Sequence, residues 1–180
     1  QLGMERENQV VQLTEEQFAI LDLCKAMPKF SILGSAGCGK TYVAIEQSRR
    51  RAEAGDRVLF LCYNYGLSEY INRRFHNFPE NQQLTHIGTL HSLGNKWNMP
   101  FEVEQTDDFW DTKLPALLVE HLKTMPNQLK YDTVVIDEAQ DFPNDELGKC
   151  SLDVFNQVNL DSNSKSLSEL YFFGDFRSQQ

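Results

Sequence analysis

The run from Gly34 to Thr41 has the residue types needed to bind a phosphate chain. Its letters, GSAGCGKT, fit the pattern GxxxxGK[ST] in full. Glycines let backbone N–H groups turn inward, Lys40 can reach phosphate oxygens, and the Thr41 hydroxyl can bind Mg²⁺. An incidental lysine in a glycine-rich turn is the alternative explanation. We predict nucleotide contacts from Gly34, Ser35, Ala36, Gly37, Cys38, Gly39, Lys40 and Thr41.

Two carboxylates follow an apolar run later in the chain, where Asp137 and Glu138 come directly after residues 133–136. Beside a phosphate loop, the first acid of such a pair holds Mg²⁺. The second can orient or deprotonate an attacking water, so Glu138 is the candidate general base. A solvated acidic turn is the alternative, and the phosphate loop argues against it.

Alternating strands and helices would bring these motifs together. Short apolar runs predict strands over 30–33, 58–62, 84–87, 133–136 and 170–173. Helices are predicted over 14–27, from the phosphate loop to Arg51, and over 67–75, 107–123 and 146–158. This alternation predicts an α/β fold with a parallel sheet flanked by helices. The polar motifs all follow strands, and ligands of parallel sheets bind at the carboxyl ends of strands.

Composition limits the function classes further. The chain has 180 residues, enough for one such domain, and a net charge of −9. This charge gives no support for a basic nucleic-acid clamp, although a single strand can still bind through stacking and a few polar groups. Four scattered cysteines indicate neither a zinc site nor a disulfide framework. With no signal peptide or membrane-spanning run, we expect a cytoplasmic protein.

Several further motifs resemble those of UvrD/Rep-type superfamily 1 DNA helicases, in the same order along nearly the whole chain. DEAQD from Asp137 looks like their motif II, and GSAGCGKT is similar to their motif I. LTEEQ, ending at Gln17, resembles their Q motif. LFLCYN, ending at Asn64, resembles motif Ia, and TLHSL, which begins at Thr89 and contains His91, resembles motif Ic. The resemblance implies the first RecA-like domain (1A) of an ATP-dependent helicase or translocase.

The resemblance also implies roles for individual residues. Gln17 would contact adenine, Asp137 and Thr41 would bind Mg²⁺, and Glu138 would act in ATP hydrolysis together with Lys40. A strand of DNA, with RNA as the alternative polymer, would contact Tyr63, Asn64, Thr89 and His91. Motif III usually reads GDxxQ. Here Ser178 stands in the glutamine position and Gln179 follows it, so the catalytic glutamine is assigned to Gln179 with Ser178 as the alternative.

The resemblance sets expectations for domain organisation. Residues 1–180 would form the 1A domain, with a short helical insert over 98–129 in place of a larger 1B subdomain. The second RecA-like domain, which carries an arginine finger in the family, would be missing. Because arginine fingers contribute orders of magnitude to turnover, we expect the isolated fragment to hydrolyse ATP slowly.

Two other functions fit a phosphate loop. A nucleotide kinase would need an arginine-rich lid, which the sequence does not suggest. A nucleotide-gated switch or scaffold, in a repair or defence assembly, would bind nucleotide without DNA-stimulated turnover. The base candidate Glu138 argues against the switch, because a pure switch does not need a strong base at that position.

Overall fold

The computed structural model has a five-stranded parallel sheet at its centre. The structure describes residues 14–27, 29–35, 37–99, 109, 113–124, 126, 131–138 and 169–174. The strands are β1 (Lys29–Leu33), β2 (Val58–Cys62), β3 (His86–Gly88), β4 (Thr133–Asp137) and β5 (Glu169–Gly174). Their spatial order is β1-β5-β4-β2-β3, and every pair is parallel. The predicted α/β class is confirmed, although β3 begins two residues later than expected.

Five α-helices precede or connect these strands in the described part of the chain. They are α1 (Glu15–Ala26), α2 (Lys40–Glu53), α3 (Tyr65–His76), α4 (Leu90–Lys96) and α5 (Leu114–Thr124), with a short 3₁₀ helix over Glu80–Gln82. Thr14 caps α1 in the predicted capping box with Gln17. Gly55, in a left-handed conformation, follows the end of α2 as predicted. The start of the predicted helix 107–123 and the whole of the predicted helix 146–158 lie outside the described residues.

The strands are buried because both faces of the sheet are covered. All residues of β2 and β4 are buried. Alternate side chains point to opposite faces. One face packs against α4 and α5 through Leu59, Leu61, Leu93, Phe109, Leu114, Leu118, Tyr131, Val134 and Ile136. The other packs against α1, α2 and α3 through Leu21, Cys24, Ile32, Val43, Ala44, Ile45, Phe60, Cys62, Ile71, Phe75 and Val135.

Several side chains that could have suggested function have structural roles. Arg49 and Arg50 pair with Glu46, and Arg51 pairs with Asp56. Phe109 is buried in the core, and the Trp97 ring stacks on His121 with centroids 5.5 Å apart. Cys24, Cys38 and Cys62 form no disulfide in the part of the chain that the structure describes. No described helix has the length and hydropathy needed to cross a membrane.

Candidate functional site

The phosphate loop joins β1 to α2 and is shaped by two glycines with positive φ. Gly37 has φ 79° and Gly39 has φ 87°. Gly39 caps α2 without any side-chain hydrogen bond, and its carbonyl accepts from Tyr42 N and Val43 N at 3.0 and 3.2 Å. The first N–H groups of this 14-residue helix therefore open onto the loop. Such an N-terminus favours a bound phosphate through its free donors and the helix dipole.

Lys40 lies over the loop rather than in solvent. Its side chain is buried, and Nζ donates to the backbone carbonyls of Gly34 at 2.8 Å and Ser35 at 3.1 Å. Both acceptors are neutral, so the ammonium has no carboxylate partner among its hydrogen bonds to described residues. An anion in the loop would be a stronger acceptor, because charge-assisted hydrogen bonds exceed neutral ones.

Gln17 connects α1 to this loop. Its Oε1 accepts from Thr14 N at 3.0 Å, and its Nε2 donates to the carbonyl of Cys38 at 3.3 Å. A side chain at Gly39 would overlap that same Nε2. On the other side of the loop, a Cβ at Gly34 would lie 2.6 Å from Cys38 Sγ. The backbone conformation of Gly39 favours glycine, and a side chain at either position would have to displace the end of Gln17 or of Cys38.

Asp137 ends β4 on the face that α2 covers. It is fully buried, and its neighbour across the sheet is Cys62 of β2. Burial raises the pKa of Asp137 to about 6, and the charge of Glu138 adds to this, whereas Thr41 and Lys40 favour the ionised form. Neither carboxylate oxygen has a hydrogen-bond partner of good geometry among the described residues. Two buried acceptors thus remain available for a ligand at this edge of the sheet.

These oxygens fit Mg²⁺ in a particular way. The described residues contain no cluster of three or more His, Cys, Asp or Glu that could hold a metal alone. Magnesium is commonly bound by one or two carboxylates together with water and substrate phosphates. Asp137 and the Thr41 hydroxyl, which lowers the pKa of the Asp137 carboxyl by hydrogen bonding, match that arrangement beside a phosphate loop.

Glu138 has an unusual backbone conformation. Its φ is 53°, in the left-handed region that non-glycine residues rarely adopt. This conformation costs about 1 kcal/mol and ends the alternation of β4. Its side chain is partly exposed, whereas Asp137 is fully buried. Strained residues of this kind cluster at functional sites, and the observation is consistent with a role in chemistry.

The four residues expected to contact nucleic acid follow β2 and β3 at the same edge of the sheet. Asn64 caps α3 by accepting from Leu67 N at 3.3 Å, and Thr89, buried, caps α4 through a capping box with Ser92. The side chains of Tyr63 and His91 are exposed. Two of the four side chains thus serve local structure, and two are accessible to a ligand.

Sequence reasoning missed some neighbours of these residues. Tyr65, the first residue of α3, is 69% exposed, beside Tyr63 at 54%. The close spacing of Tyr63 and Tyr65 in the sequence could have indicated that both rings are available for stacking. Tyr42, Tyr70 and Arg74, which join α2 to α3, carried no recognisable pattern because they are far apart in the sequence. Ala36, Ser178 and Gln179 lie outside the described residues.

Comparison with protein families supports the fold described above. The family described as "Type III restriction enzyme, res subunit" matches residues 5–165. This family has a helicase-like P-loop domain with a RecA fold. The parallel sheet, phosphate loop and flanking helices described above match that fold. No curated protein matches the chain.

Proposed function

Since the chain belongs to the type III restriction enzyme res subunit family, we propose that it is the ATP-driven motor domain of a DNA helicase or translocase. The family supports a helicase-like NTPase motor in general terms. One structural observation carries the more specific proposal. The buried carboxylate of Asp137, whose oxygens have no hydrogen bond of good geometry with the described residues, lies at the same sheet edge as the phosphate loop. Hydrogen bonding to Thr41 and the charge of Lys40 favour its ionised form there.

In this proposal the nucleotide binds along the loop from Gly34 to Thr41. Lys40 would exchange the carbonyls of Gly34 and Ser35 for the β and γ phosphates. The first N–H groups of α2 would donate to the same phosphates. The amide of Gln17 would serve adenine recognition, and its contact with Cys38 would fix its position relative to the loop.

Hydrolysis requires a water to attack the γ-phosphorus in line with the leaving ADP oxygen. Glu138 would accept a proton from that water as the new P–O bond forms and the P–O bond to ADP breaks. Asp137 and Thr41 would hold Mg²⁺, which when bound neutralises charge developing on phosphate oxygens. Gln179, with Ser178 as the alternative, would contact the γ-phosphate.

A single strand would run along the carboxyl ends of β2 and β3. The exposed rings of Tyr63 and Tyr65 offer stacking surfaces, and His91 adds a polar contact. Stacking suits this protein because its net charge of −9 disfavours a binding mode that depends on many phosphate contacts. Asn64 and Thr89 would act chiefly through the helices that they cap.

The order of the sequence motifs supports a relationship with UvrD/Rep-type helicases of superfamily 1. The matched family, in contrast, has a superfamily 2 helicase-like fold. We propose that residues 1–180 form a 1A domain, with 98–129 as a short helical insert that contains α5. A second RecA-like domain would complete the ATP site from the opposite side, and residues 1–180 by themselves would hydrolyse ATP slowly.

The test is ATP hydrolysis by the protein that carries this chain, with and without oligo(dT), beside Glu138→Gln. We expect stimulation by oligo(dT) and a loss of turnover of about 10²-fold or more in the variant, with nucleotide binding retained. Glu80→Gln, at an exposed glutamate of the 3₁₀ helix, is the matched control and should behave as the unaltered protein. Nucleotide binding without stimulation by DNA or RNA would favour the switch instead.

A further inference from the structure

Three side chains join the start of α2 to the middle and the last turn of α3. Tyr42 is the third residue of α2 and directly follows Thr41 of the phosphate loop. The guanidinium carbon of Arg74 lies 5.6 Å from the centroid of the Tyr42 ring. Tyr70 lies one helical turn before Arg74, so both side chains lie on the same face of α3. Hydrogen bonding to Tyr70 is the largest cause of the raised pKa of Tyr42.

Arg74 is held by a ring rather than by a carboxylate. Its Nε atom is buried and has no hydrogen-bond partner in the described part of the chain. Arg49 and Arg50 of α2, in contrast, pair with Glu46. A cation over an aromatic face is favourable only while the ring keeps its position. The place of Arg74 therefore depends on where Tyr42 lies.

Helix α3 reaches from this contact to the proposed nucleic-acid edge. It runs from Tyr65 to His76 and packs on the sheet through buried Ile71 and Phe75. Its first residue, Tyr65, is the most exposed large aromatic side chain among the described residues. Twelve helical residues span about 18 Å, so a shift at Tyr70 and Arg74 is carried to Tyr65 as a rigid-body motion.

We propose that Tyr70 and Arg74 are positioning residues that couple nucleotide binding at the phosphate loop to single-strand binding at the start of α3. The inference rests on the proposed function and adds the route by which one site influences the other. A bound phosphate fixes the first turn of α2, including Tyr42, and Tyr42 then sets the position of α3 through its contacts with Tyr70 and Arg74. By linkage, a bound strand must change nucleotide affinity by the same factor.

The experiment measures that factor directly. A fluorescein-labelled oligo(dT) is titrated with the protein that carries this chain, with and without a saturating non-hydrolysable ATP analogue and Mg²⁺. The ratio of the two dissociation constants is the coupling factor, expected at about 5-fold or more for the unaltered protein. Tyr70→Phe, which keeps the ring and removes the hydroxyl, should bring the ratio at least threefold closer to one, and so should Arg74→Gln.

Two controls separate coupling from damage. Arg73→Gln removes the same charge from an exposed neighbour on α3 and should keep the ratio of the unaltered protein. Affinity for the nucleotide alone should stay within about twofold in every variant. If Arg74→Gln melts below the assay temperature, Tyr70→Phe decides the question.

The outcomes distinguish this inference from the proposed function. Unchanged ratios in Tyr70→Phe and Arg74→Gln would overturn the coupling route while leaving the motor intact. A ratio near one in an unaltered protein that binds both ligands would overturn the coupling alone. If the unaltered protein binds no oligo(dT) and nucleic acid does not change its rate of ATP hydrolysis, the proposed function itself is wrong.

Discussion

The side-chain amide of Gln17 donates a hydrogen bond to the backbone carbonyl of Cys38 at 3.3 Å, joining α1 to the phosphate loop. The other end of the same amide completes the cap of α1 by accepting from Thr14 N. One residue thus fixes the start of a helix and the middle of a ligand-binding loop. Its two atoms can be tested separately because glutamate retains the acceptor and loses the donor.

Gln17→Glu should therefore keep the capping box and lose the loop contact. We expect nucleotide affinity to fall about fivefold, the effect of losing a hydrogen bond of about 1 kcal/mol, with little change in thermal stability. Thr14→Ala is the complementary variant, since it removes the cap and should lower the free energy of unfolding by about 1 kcal/mol. Calorimetric titration and thermal melts measure the two effects. Equal nucleotide affinity in Gln17→Glu and the unaltered protein would refute a role for the loop contact.

Gly39→Ala should damage the loop in two ways. Its φ of 87° is unfavourable for alanine, costing about 1–2 kcal/mol, and the added methyl would overlap Gln17 Nε2. We expect nucleotide affinity, measured by calorimetric titration, to fall by more than about 10-fold. In a Gln17→Ala background part of this loss should disappear, because the overlap is gone and the two changes become non-additive.

The matched control for Gly39 lies at the far end of α2. Gly55 has φ 97°, and an added methyl group there would meet no atom of the described residues within 4 Å, so Gly55→Ala brings backbone strain alone. The free energy of unfolding of Gly55→Ala should be about 1 kcal/mol lower than that of the unaltered protein, with the same nucleotide affinity. A comparable loss of affinity in Gly55→Ala would mean that general destabilisation explains the Gly39 result.

The sequence predicted those parts of the site in which spacing along the chain determines geometry. The loop from Gly34 to Thr41 and the acids at the end of β4 could be found because each is continuous and follows an apolar run. The contact of Gln17 with Cys38 joins residues 21 positions apart and depends on how α1 packs, so no local pattern reports it. Tyr42 and Arg74 meet for the same reason, through two helices on one face of the sheet.

Helix α4 shows a second reason why the sequence did not predict every element. Its seven residues, LHSLGNK, give too few turns for a hydrophobic period, and they include a glycine. The usable signal was the capping box of Thr89 with Ser92, which differs from the usual form in having serine at the third helical position. The resemblance to motif Ic predicted a nucleic-acid contact for Thr89, and the structure adds that its hydroxyl accepts from the backbone N–H of Ser92 at 3.2 Å.

Asp137→Asn should separate stability from function. The native carboxylate is fully buried, and neither oxygen has a hydrogen bond of good geometry with the described residues, although hydrogen bonding to Thr41 and to the backbone of Glu138 favours its ionised form. Burial of a carboxylate in this way is costly in the absence of a ligand. The neutral amide should raise the free energy of unfolding of the ligand-free protein by about 1 kcal/mol at neutral pH. Mg²⁺-dependent ATP hydrolysis should fall below detection. Lower stability together with normal hydrolysis would exclude Asp137 as the metal-binding acid.

His86 should make the protein less stable in mild acid. Burial, helped by the nearby charge of Lys96, lowers the pKa of His86 to about 4 from 6.5. Between these values the unfolded chain binds a proton that the folded chain does not, so stability falls as pH drops from about 6.5 to 4. Because the ring is partly exposed, we expect a loss of about 1–2 kcal/mol rather than the full effect of the shift.

Urea unfolding at about pH 7.5, above that window, and at about pH 4.5, near its lower end, measures this loss in the unaltered protein and in His86→Gln. Between about pH 7.5 and about pH 4.5 the free energy of unfolding should fall by about 1–2 kcal/mol less in His86→Gln than in the unaltered protein, since glutamine does not titrate. His76→Gln, at an exposed histidine in the last turn of α3, should follow the unaltered protein. If all three proteins lose the same stability, other groups account for the acid sensitivity, and His86 is not kept neutral by the fold.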